Sequence, residues 1–170
     1  MAFRDVAKDF VDKLPKHRDN LFYNTDGFVG PPNVPGNHRG SRNQTDDVMR
    51  VQHFLKIVAQ NPTKFKNPFH PPKKFPTMKV DGVYGDITAH WIIAFQQHLH
   101  TIGRPVLVDG VVDRVLNGVK LSPNKFIWTM VMLNITMGQV TGDELWDAWW
   151  KEPSVPPLLR DKIRDPATFF

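Results

Sequence analysis

The sequence predicts a mainly α-helical fold: a compact three-helix core with long Pro/Gly-rich loops and helical extensions at both ends. Three observations predict it. Apolar residues recur at helical spacing in several separate stretches. Those stretches open on Thr, Ser or Asp and close on Pro or Gly. The fifteen Pro and eleven Gly of this 170-residue chain gather between them. A chain of this length suits one domain with elaborations and can bury a real core.

Taken in order, Phe3, Val6, Phe10, Val11 and Leu14 predict a short amphipathic helix that stops before Pro15. Residues 20–44, rich in Gly, Pro and Asn, read as an irregular connection. Thr45 is then expected as an N-cap, with Asp46 and Asp47 placing negative charge in the first turn. Val48, Val51, Leu55 and Val58 line one face of the helix that follows, to about Ala59. Residues 61–78 hold five Pro and four Lys, which argues against regular structure there.

Asp81-Gly82 reads as a turn, and Gly85 as a position where the backbone needs freedom from a side chain. Asp86 caps or begins a helix carrying Ile87, Trp91, Ala94 and Phe95 on one face, with Gly103 as its stop. Ser122-Pro123 is expected to start a third helix, with Ile127, Met130 and Val131 on it. Thr141 and Glu144 form a capping-box pattern ahead of Trp146, Trp149 and Trp150. A last short helix is expected at about 158–163. The organisation is therefore an N-terminal helix and arm (1–41), a core (42–137) with a basic insertion (61–78), and a Trp-rich extension (138–170).

The turns repeat. Val48-x-x-Val51-Gln52-x-x-Leu55 is followed by Asp81-Gly82-Val83-Tyr84-Gly85-x-x-Thr88, then Phe95-Gln96, then Asp109-Gly110. This ordered set resembles the peptidoglycan-binding-like domain family, a three-helix module of cell-wall hydrolases, phage proteins and secretion-associated proteins. The lead-in at 43–48 and Leu133-Asn134, similar to the end of the family's third helix, extend the resemblance over 42–137. It implies that these signature residues mainly shape tight helix entries, with Phe95 and Gln96 packing the second helix. The chain departs from the family pattern in its long 61–78 loop. The second turn also lacks the Gly-x-x-Thr of the first.

Charge points to one region. No acidic residue lies between Asp47 and Asp81, whereas Arg50, Lys56, Lys64, Lys66, Lys73, Lys74 and Lys79 do. An anionic partner or a solvated loop would each account for this gap. Lys64, Lys66, Lys73 and Lys74 alternate with Phe65, Phe69 and Phe75, a composition suited to stacking plus phosphate contact, or to embracing a neighbouring subunit. The second use is expected, and nucleic acid is not. Trp146, Trp149, Trp150, Phe169 and Phe170 are candidate interface anchors, with core packing the plainer expectation for the Trp residues.

Marks of catalysis are few. There is no HExxH and no Cys, and Glu occurs only at Glu144 and Glu152. His98 and His100 project about 200° apart on a helix and do not easily share a metal. No enzyme, cofactor or metal site is expected; a cell-wall hydrolase is the weakest of the readings. No run of apolar residues is long enough for a membrane span. The N-terminal residues lack the apolar stretch of an export signal. The expectation is a non-catalytic component of a larger bacterial or phage assembly. It would be made in the cytoplasm, with other protein subunits as partners and peptidoglycan binding either kept or lost. Placement in a virion or exported assembly would fit.

Overall fold

The structure, a computed structural model, describes residues 25, 27–31, 43–114, 126–146 and 151–163. Within them are four helices: α1 (Thr45–Gln60), α2 (Asp86–Thr101), α3 (Thr129–Trp146) and α4 (Pro157–Ile163). The described part is mainly helical, and its extended contacts are two isolated bridges. The expected N-terminal helix, the Ser122-Pro123 start, Trp149, Trp150, Phe169 and Phe170 lie outside the described residues.

Helix α1 is the centre of the packing. It buries Val48, Val51, Phe54, Leu55 and Val58 and lies mainly against α3, with further contacts to α4 and α2. The cap differs from expectation: Gln44 precedes the helix, makes no side-chain capping bond, and Thr45 is already helical. Asp47 is buried, its carboxylate accepting the Gly27 N–H at 2.8 Å. Asn43, at φ 52°, adopts the left-handed conformation Asn tolerates. Its amide exchanges two hydrogen bonds with the Gly30 backbone, at 3.0 and 2.9 Å.

That anchor draws residues from the expected arm into the core. Val29 pairs antiparallel with Val112 through bonds of 3.0 and 2.8 Å and is completely buried. The C-terminal extension does likewise with Val155 and Leu159. Pro157 begins α4, as suits proline at a first helical position. The Arg160 guanidinium holds the approach to α4 by donating to the carbonyls of Val155, Glu152 and Pro153.

Three further expectations are corrected. Ile127 precedes α3 and bridges in parallel to Val106, so this helix begins at Thr129. Leu133-Asn134 does not end it: buried Asn134 donates to the Met130 carbonyl, one turn back within the helix. At Thr141 the expected cap is not made, since its hydroxyl donates back to the Met137 carbonyl and to that of Gly142, although the expected boundary between two helical segments is there. The helix breaks at Gly142, at φ 75° and ψ 173°, a conformation confined essentially to glycine.

Candidate functional site

Of the expected signature residues, Gln52, Asp81, Gly82, Thr88, Gln96, Asp109 and Gly110 come together in two copies of one device. Gln52, on α1, is 1 % exposed and faces the Asp81-Gly82 turn. Its side-chain carbonyl accepts the N–H groups of Asp81 and Gly82 at 3.0 and 2.9 Å. Its NH2 is shared among Asp81 Oδ1, the Val83 carbonyl and Thr88 Oγ1 at 3.0 to 3.1 Å. Asp81 Oδ1 also receives the Val83 N–H at 3.0 Å. Because the turn offers donors on one side and acceptors on the other, only one orientation of the amide satisfies it.

Gln96, on α2, repeats this arrangement on the second turn. Its carbonyl accepts the N–H groups of Asp109 and Gly110 at 3.2 and 2.8 Å. Its NH2 donates to Asp109 Oδ1, the Val111 carbonyl and Thr129 Oγ1 at 2.9 to 3.1 Å. Thr129 opens α3 and occupies the place that Thr88 holds near the start of α2. The second Thr is thus present, but eighteen residues beyond Val111 rather than five beyond Val83. Local spacing could not find it, because the helix expected there starts at Ser122, seven residues earlier.

The two glycines carry positive φ, +74° at Gly82 and +75° at Gly110. Gly85 does not: it is extended, and a Cβ there would meet nothing within 4 Å. The expected need for glycine at that position is therefore absent. Hydrogen bonding, chiefly from the Val83 N–H and also from the Gln52 amide, holds the Asp81 pKa below its ordinary value against the opposing effect of burial. Tyr84, between turn and helix, has its pKa pushed up to about 12 by burial. Its hydroxyl makes no hydrogen bond among the described residues. On α2, Trp91 and Phe95 face the core as expected, while Ile87 is 41 % exposed.

The basic loop uses its aromatic residues inwardly. Phe69 is buried and meets Trp91 and Phe95 edge-on, at centroid distances of 6.0 and 5.4 Å. Phe65 and Phe75 pack half-buried against the same core. Trp91 Nε1 donates to the Phe75 carbonyl at 2.8 Å. Lys64, Lys66, Lys73 and Lys74 are all exposed. The Phe rings expected to meet a neighbouring subunit therefore pin the loop to its own domain.

At the C-terminal end of α2, Phe65, Asn67, His98, Ile102, Arg104 and Gln139 rim a pocket of about 60 Å³. Burial lowers the pKa of both Arg104 and His98 from their usual values. His98 is half-buried beside Phe69 and His100 is exposed. Among the described residues no three His, Asp or Glu side chains gather as a metal site. Trp146 ends α3.

No protein-family model matches the chain, and neither a curated protein nor a solved structure was found to match it.

Proposed function

We propose that this chain is a non-catalytic, peptidoglycan-binding-like protein that serves as a structural or targeting component of a larger bacterial or phage assembly. The observation that carries this reading is the twin clamp. Gln52 and Gln96, which the resemblance marks as signature residues, each hold an Asp-Gly turn and the Thr of the next helix. Such a device explains why Gln, Asp, Gly and Thr recur in that order, and its purpose is architectural. Wall recognition would then belong to the surface that the clamps support.

A second reading, an adaptor that has lost glycan binding, draws support from the apolar Val83 and Ile87, which stand exposed beside the first turn at 64 % and 41 %. Co-sedimentation of the purified protein with peptidoglycan sacculi, at low and at moderately high salt, separates the two. Retention that persists in salt is expected of a wall-binding module. Absence of retention in both conditions rejects wall binding and leaves the adaptor.

A further inference from the structure

We propose that the outer edge of the loop between α1 and α2 is a binding ridge for a linear phosphate polymer. This inference does not depend on peptidoglycan recognition. The first support is charge: residues 61–80 carry the exposed Lys64, Lys66, Lys73, Lys74 and Lys79 and no acidic side chain. The second is order. Phe65, Phe69, Phe75 and Met78 fix the loop from beneath, and the Phe75 N–H donates to the Pro72 carbonyl at 3.0 Å. A cationic segment already held in place loses less entropy on binding than a free one.

The third support is the path of the loop. Phe75 packs on His90, at 4.8 Å between ring centroids, near the start of α2. Phe69 meets Trp91, Phe95 and His98 along its middle. Phe65 shares the terminal pocket with Ile102. The loop thus runs antiparallel to α2. The twelve residues from His90 to Ile102 correspond to about 18 Å of helix axis. Lys64 and Lys66 lie towards one end of this path and Lys73 and Lys74 towards the other. One phosphate cannot reach both pairs, whereas a polymer can.

The same geometry disfavours a single-stranded nucleic acid, which needs aromatic faces for its bases. Phe69 is enclosed in the core, and Phe75 is taken up by His90 with the Lys74 ammonium 5.1 Å from its ring centre. Lysines, as point charges without a fixed fork, suit irregularly placed phosphates. The exposed acids Asp81 and Asp86 flank the ridge only beyond Lys79, at the start of α2.

Binding of the full chain to long-chain inorganic polyphosphate and to poly(glycerol phosphate), measured by calorimetry across a salt series, tests this. Both polymers are expected to bind at low salt and weaken steadily as salt rises, with triphosphate at least about tenfold weaker. Binding of one polymer alone supports the ridge and names the source. Replacing Lys64, Lys66, Lys73 and Lys74 by Ala should weaken binding at least about tenfold, and replacing them by Arg should retain it. The pair Lys73→Glu and Lys74→Glu should weaken it as well, with fewer changes, if the fourfold variant folds poorly. Unchanged binding in these variants, or triphosphate binding as well as polymer, would overturn the proposal. So would tighter binding of a single-stranded oligonucleotide of equal charge.

Discussion

Two glycines with nearly the same backbone angles occupy different surroundings. A Cβ on Gly82 would lie 2.4 Å from Thr45 Cγ2 and 2.7 Å from the Thr45 carbonyl oxygen. The second of these is backbone at the start of α1 and cannot rotate away. On Gly110 the nearest atom is Ile93 Cγ1 at 3.3 Å, on a half-buried side chain that can yield. Both substitutions cost about 1–2 kcal/mol for an L residue at positive φ. Gly82→Ala adds overpacking of about 1–3 kcal/mol. Urea unfolding should therefore rank the alanine variants Gly82 as most damaging, Gly110 intermediate and Gly85 near neutral. Equal losses at Gly82 and Gly110 would contradict the close approach to Thr45.

Helices here are joined through side-chain amides as well as through apolar packing. Gln52 lies 29 residues before Asp81, and Gln96 lies 33 before Thr129. Each therefore couples a helix to the turn that follows it and to the beginning of the next helix. Leucine at either position keeps the volume but leaves two backbone N–H groups of the turn unsatisfied. Such a loss costs about 1–3 kcal/mol for each group that stays dry. Glutamate is expected to be worse than leucine at Gln52 near neutral pH, since its second oxygen would face Asp81 Oδ1 and the Val83 carbonyl. Acidification should narrow that difference as the new carboxyl protonates. Denaturation midpoints of the two variants at neutral and mildly acidic pH measure this directly.

For the molecule as a whole, buried histidine lowers stability in acid. His53 is 3 % exposed on α1, and burial, aided by the Lys56 charge, lowers its pKa from 6.5 to about 4. The folded chain thus keeps it neutral where the unfolded chain has protonated it. The unfolded state binds more protons in that window, so stability rises with pH through it. The contribution is complete above pH 6.5 and is lost as pH falls towards about 4, a loss on the order of 3 kcal/mol. His98 acts in the same direction. Asp81, with its depressed pKa, extends the decline below the ordinary carboxylate range. A His53→Gln variant should flatten the pH dependence of unfolding free energy between neutrality and roughly pH 5; an unchanged slope would reject this assignment.

Much of the local structure was readable from short-range rules alone. The 3.6-residue recurrence of Val48, Val51, Leu55 and Val58 marks α1. Asp86 opens α2, and Gly103, at φ 78°, closes it because glycine alone enters that conformation freely. Caps were less legible, since Gln44 and Gly85 precede their helices without a side-chain bond. What spacing could not decide was which distant groups would meet. Thr129 completes the second clamp because the start of α3 lies against Gln96, a matter of tertiary placement and not of motif. The insertion's composition likewise left two faces open to its Phe residues. Trp91, Phe95 and the pocket beside His98 draw them inward, because burying apolar rings is favourable wherever a complementary surface is near. Helices, turns and the concentration of charge thus follow from residues that are neighbours along the chain. The locking of the turns by the amides of Gln52 and Gln96, and the turning of the lysines to solvent, arise only on folding, because buried polar groups must find partners among whatever the folded chain brings near.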